Sequence, residues 1–139
     1  MESLTVPGNL DYLEAIASYV INAAKEAGLD KKATYRLRLA VDEIATNIIM
    51  YGYKQANIEG KIDLETKLEP QYLAICLEDT GVFYDPTKHE VPKDLDLPLE
   101  ERTLGGQGIY LVIQSVDKLT YERVQNRNRT TFIVNRNSS

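Results

Sequence analysis

The stretch Arg36–Tyr53, RLRLAVDEIATNIIMYGY, decides how the rest of the chain must be arranged. With Val41 at zero on a helical wheel, Ala40, Ile44, Leu37 and Ile48 fill an arc of about 100°. That spacing predicts one amphipathic helix with a single buried stripe. Glu43 and Asn47 are one helical step apart, so their side chains stack on the flank of the stripe. A carboxylate and an amide at the rim of a buried face suit a ligand better than bulk water. Many helices carry such a pair at a boundary, so the pair needs a second motif to give it meaning.

Asp30 is placed to cap this helix, and Gly28 to end an earlier one in the left-handed conformation. Asn9 caps the earlier helix, whose apolar stripe runs through Leu10, Leu13, Ile16, Ala17, Val20 and Ala24; residues 1–8 read as an extended lead-in. Gly52 and the Asn57–Gly60 stretch close off the second helix. Next, KIDLETKL (Lys61–Leu68) alternates as a half-buried strand requires, and Pro70-Gln71 turns it into the more continuously apolar YLAICLED (Tyr72–Asp79), a central strand. The two are expected to pair as an antiparallel hairpin.

Residues Thr80–Gly106 hold Pro86, Pro92, Pro98 and three of the eight glycines, the composition of a long functional loop such as a lid. Helical spacing resumes over Gly108–Val116 through Ile109, Val112, Ile113 and Val116. KLTYERV and TTFIVNR, bridged by QNRNR, form a closing hairpin. Helices grouped on one face of a mostly antiparallel sheet make an α+β fold.

Composition narrows the function. The 139 residues favour one domain, and 43% hydrophobic with 27% charged residues describe an ordinary globular protein. There is no run of about 20 apolar residues to span a membrane and no signal-peptide layout, so the expectation is a cytoplasmic protein with no membrane partner. Cys76 is the only cysteine, which excludes an intrachain disulfide; within a strand it reads as a small core residue rather than a nucleophile. A net charge of −5 argues against nucleic acid. It leaves a nucleotide open, because backbone N–H groups alone can cradle phosphate.

Two further stretches carry chemistry. Glu78-Asp79-Thr80-Gly81 leaves the apolar strand with a carboxylate at its end and a glycine that lets backbone approach a flat ligand; alone it reads better as a plain turn. Leu104-Gly105-Gly106-Gln107-Gly108 runs directly into a helix, which aims free N–H groups at an anion, or else forms a hinge; it is not a P-loop, having no Lys-Ser/Thr after the glycines. His89 and Arg102 fall in the lid, the histidine as a solvated residue and the arginine as either a phosphate contact or part of a charge run with Glu100 and Glu101. Tyr51 and Tyr53 are pocket wall or packing.

In order and spacing, Glu43-x-x-x-Asn47, Asp79-x-Gly81 and Gly105-Gly106-x-Gly108 resemble the N, G1 and G2 boxes of the GHKL (Bergerat-fold) ATP-binding superfamily of gyrase, Hsp90, histidine kinases and MutL. Leu99–Arg123 is especially similar to the bacterial anti-sigma-factor serine/threonine kinases of the RsbW and SpoIIAB type. The resemblance spans nearly the whole chain. It implies a two-layer α+β sandwich over residues 1–139 with an ATP lid at about 86–104, and ATP and Mg²⁺ as cofactors. Asn47 would hold the metal, Glu43 would act as general base, Asp79 would accept from the adenine amino group over Gly81, and Gly105, Gly106 and Gly108 would cradle the phosphates. Thr130 resembles the threonine behind the adenine, with Arg129 where relatives have glycine, and Phe83 replaces a small residue of the G1 box.

The implied activity is phosphorylation of a small anti-sigma antagonist protein, with a sigma factor as a second partner and a homodimer as the assembly. The alternative is a non-catalytic, nucleotide-dependent binding module that sequesters such a partner. An ATPase motor or a sensor kinase is disfavoured: the chain has no transducer domain after Arg136, and nothing in it resembles a phospho-acceptor histidine helix.

Overall fold

The expected caps are in place. Asn9 accepts from the Asp11 N–H at the entry to a single 3₁₀ turn, Leu10–Tyr12, which leads into α1, Leu13–Glu26. Gly28 sits at φ +76° and ends α1; the Asp30 carboxylate accepts from the Ala33 N–H at 2.8 Å and starts α2, Lys31–Asn47. The computed structural model describes residues 2–82 and 115–136. The expected lid, Phe83, His89, Arg102, Gly105, Gly106, Gly108 and most of the Gly108–Val116 helix lie outside them.

Among the described residues five strands form one sheet in the order β1-β2-β3-β5-β4, every neighbouring pair antiparallel. They are β1, Leu4–Pro7; β2, Lys61–Leu68; β3, Tyr72–Asp79; β4, Lys118–Val124; and β5, Arg127–Asn135. The expected α+β layout is observed. Period-two alternation sends Ile62, Leu64, Leu73, Ile75, Leu77 and Phe132 to one face, where they pack against Ile16, Val20, Leu37, Val41 and Ile44 of the helices. Burying this much aliphatic surface is the main force that holds the two layers together.

Three boundaries differ from the sequence reading. The lead-in is itself a strand, with Val6 paired to Ile62. The closing hairpin turns on Gln125 and Asn126 alone, Gln125 taking φ 58°, so Arg127, Asn128 and Arg129 belong to β5 and not to a bridge. The helix expected to run unbroken through Tyr53 stops at Asn47 and widens into a π-helical segment, Ile48–Lys54. Such widened turns tend to occur where a helix must re-aim its residues.

Here the re-aiming serves Tyr53. Its side chain is 2% exposed, and its hydroxyl donates to the Lys61 carbonyl at 2.6 Å while accepting from the Thr80 N–H at 2.8 Å. The ring lies so close to Gly8 and Gly60 that a Cβ on either would approach it to 2.4 or 2.5 Å. One residue earlier, the Gly52 carbonyl accepts from the Val82 N–H at 3.2 Å. Tyr51, by contrast, is exposed.

Tyr53→Phe keeps the ring and removes the hydroxyl, leaving the Lys61 carbonyl and Thr80 N–H without it. The expected cost is about 1–3 kcal/mol in urea unfolding, with unchanged secondary structure by circular dichroism.

Candidate functional site

At the end of β3 the alternation that fills the core places a carboxylate on the helix-facing side. Asp79 is 2% exposed. Its Oδ1 accepts from the Gly81 N–H at 2.8 Å and from Asn128 Nδ2 at 3.0 Å. Among the described residues no donor reaches Oδ2. Burial pushes the Asp79 carboxyl above the usual carboxylate range, against the opposing pull of the Asn128 and Gly81 donors and of Arg123 and Arg127.

Gly81 is needed as glycine by contact. A Cβ there would meet the Gly52 carbonyl oxygen at 2.9 Å and Asp79 Oδ1 at 3.0 Å. This close approach joins the strand end to the helix layer. Asn47 lies five residues before Gly52 and Glu43 nine, so both sit within about 15 Å of helix axis from the junction. Both are half-buried, and among the described residues neither side chain has a hydrogen-bond or ion-pair partner. Burial, with the neighbouring Asp42 carboxylate, raises the Glu43 pKa.

Thr130 is 3% exposed and faces the same side, across from Leu77, whose next inward-facing neighbour is Asp79. Arg129, where glycine was expected, turns to the opposite face and pairs with Glu78 at 2.6 Å and Glu122 at 2.9 Å. Its bulk therefore does not reach the Asp79 side. Cys76 also faces outward and is half-buried, a correction to its reading as a core residue; burial raises its thiol pKa. Asp79, Gly81 and Thr130 are thus gathered at one end of the sheet, with Glu43 and Asn47 on the helix tied to it.

Three polar residues of this end escaped the sequence reading. Asn128 is buried directly across from Asp79, and Tyr121 and the Arg123 guanidinium both donate to its Oδ1, the latter at 2.8 Å. The signal was present: counting back by two from Thr130 puts Asn128 on the inner face. Reading QNRNR as a loop hid it.

Among the described residues, an antiparallel sheet with helices on one face makes an α+β domain that carries a buried carboxylate at a strand end. The family model described as "Histidine kinase-like ATPase domain" matches residues 6–134, and the chain belongs to that family. It is similar to the serine-protein kinase RsbW of Staphylococcus aureus strains RF122 and MRSA252, each 26% identical over 120 residues, which cover 84% of this chain and 76% of theirs. Among solved structures, the Acinetobacter baumannii histidine kinase AdeS is 14% identical with a TM-score of 0.53, over 99% of this chain and 70% of that one. The histidine kinase domain of the Erythrobacter litoralis EL346 blue-light activated kinase is 20% identical with a TM-score of 0.52, over 89% of this chain; this chain spans 59% of it. These last two likenesses establish the shared fold.

Because the Asp79 pKa is raised on folding, its contribution to stability is full below the unfolded carboxyl pKa and is lost as pH rises through the folded value. Asp79→Asn keeps an Oδ1 acceptor and does not ionise. Urea unfolding at pH 4 and pH 8 is expected to show the stability difference moving in the variant's favour at the higher pH.

Proposed function

We propose that this chain binds MgATP between α2 and the inner end of β3 and β5, and transfers the γ-phosphate to a serine or threonine of a small partner protein. One observation carries the binding half: a buried carboxylate, Asp79, whose Oδ1 is filled by two donors while Oδ2 has none among the described residues. A buried acceptor of that kind favours a ligand that brings an N–H, as the adenine 6-amino group does. In this reading Gly81 lies under the ring, and Thr130 backs it. The similarity to RsbW kinases supports the transfer half.

In this reading Glu43 is the general base. It takes the proton from the attacking hydroxyl as the new oxygen–phosphorus bond forms and ADP departs. A raised pKa suits that task, because a more basic carboxylate is a better proton acceptor near neutral pH. The Asn47 side chain has no partner among the described residues, and its amide oxygen would be the ligand offered to Mg²⁺. Among the described residues no cluster of three or more His, Cys, Asp or Glu converges, so phosphate oxygens and water would supply most of the ion's shell, as Mg²⁺ commonly accepts. When bound, the ion neutralises charge on the phosphates. Gly105, Gly106 and Gly108 would hold those phosphates, beneath a lid at about 86–104 of a single domain, 1–139.

The substrate class proposed is an anti-sigma antagonist, with partner switching to a sigma factor, in a cytoplasmic homodimer. No described helix is long and apolar enough to cross a membrane.

Glu43→Gln is expected to keep ATP affinity and to lower label transfer from [γ-³²P]ATP to the cognate antagonist by about 10²–10⁴-fold. In the parent chain the acid limb of transfer should lie above the ordinary glutamate range, since Glu43 loses its basic form at a higher pH. Undiminished transfer by the variant sinks the catalytic role; binding without any transfer in the parent favours a nucleotide-gated binding module instead.

A further inference from the structure

We propose that Asn128 is a positioning residue for purine recognition: it occupies one oxygen of Asp79 and the backbone of the turn beyond it, so that the other carboxylate oxygen alone meets the ligand. The proposal rests on the nucleotide reading of Asp79 and goes beyond it by naming what enforces that geometry.

The orientation of the Asn128 amide follows from its neighbours. A guanidinium can only donate, so the Asn128 atom 2.8 Å from Arg123 Nη1 is its carbonyl oxygen, Oδ1, and the Tyr121 hydroxyl donates to the same atom. Nδ2 therefore faces the other way. It donates to Asp79 Oδ1 at 3.0 Å and lies 3.2 Å from both the Gly81 and Val82 carbonyl oxygens. Two amide protons thus serve three acceptors, two of them on the turn that leaves β3. With the Gly81 N–H, Asp79 Oδ1 holds two donors, which leaves Oδ2 for a ligand N–H.

Strand register sets this up, since Asp79 lies directly across from Asn128 and Asn128 directly across from Arg123. Asn128 is 4% exposed, so it acts on a ligand through Asp79. Without its amide, Oδ1 would lose a donor, the carboxylate could turn about its Cβ–Cγ bond, and the two oxygens would compete for the same incoming N–H. The charged and titratable groups that act on Asp79 are Arg123 from β4, the Tyr53 phenol from the π-helical segment and, from the opposite face of the sheet, Arg127 of β5. Asn128 adds an uncharged donor that still favours the ionised carboxylate.

The test compares binding of ATP and of purine riboside triphosphate, which has hydrogen in place of the 6-amino group. The parent chain is expected to prefer ATP by about tenfold, the scale of one hydrogen bond to a charged group. In Asn128→Ala the preference should fall to about twofold or less, with a higher-lying acid limb for ATP binding; a general structural loss would weaken both nucleotides alike and keep their ratio. If Asn128→Ala does not fold, Tyr121→Phe decides, because it removes one donor that fixes the amide and should cut the preference by about two- to threefold. An unchanged ratio in a folded variant overturns the proposal alone. No preference in the parent chain overturns the adenine reading of Asp79 and the proposal with it.

Discussion

The phenol of Tyr53 is the constraint on which this end of the molecule depends. Three strand termini converge on it: Gly8 after β1, Gly60 and Lys61 at the start of β2, and Thr80 after β3. The ring excludes side chains from both glycines, and the hydroxyl holds the Lys61 carbonyl and the Thr80 N–H together. Because Tyr53 belongs to the continuation of α2, the helix bearing Glu43 and Asn47 cannot shift without disturbing the turn that follows Asp79. The Gly52–Gly81 contact reinforces the tie. A site divided between two layers needs such a joint, since hydrophobic packing alone is non-directional.

Much of this architecture was legible in the residues. Caps at Asn9 and Asp30, the left-handed Gly28 and the alternation of β2 each follow from local physics, and each is found. The misreadings share a cause. A π-helical turn has no distinct apolar period over seven residues, so Ile48–Lys54 read as more α-helix. Val6 gains strand status only by pairing with Ile62, a contact 56 residues away in sequence. QNRNR is polar enough to pass for a loop, yet its last three residues lie in the sheet.

That last case also explains why the candidate site was only partly visible. Asp79 and Gly81 announce themselves as a strand end followed by glycine. Asn128 does not, because what makes it important is the carboxylate facing it, and facing is a property of register. The same parity disposes of the concern over Arg129. A glycine at that position frees space only if its Cα faces the ligand side, and here the arginine extends outward to two carboxylates.

On the face away from the helices, Thr5, Asp63, Glu78, Arg129 and Glu122 form one transverse line across all five strands, and Arg127 bridges Asp63 and Glu78. These half-exposed ion pairs add little to stability individually. Their effect is on fidelity. A one-residue slip of β5 would send Arg127 and Arg129 into the apolar layer and expel Asn128 and Thr130 into water. The charges on the outer face thus proofread the placement of the uncharged side chains on the inner one, and any change that makes the slipped pairing tolerable endangers the inner pocket without touching a single atom of it.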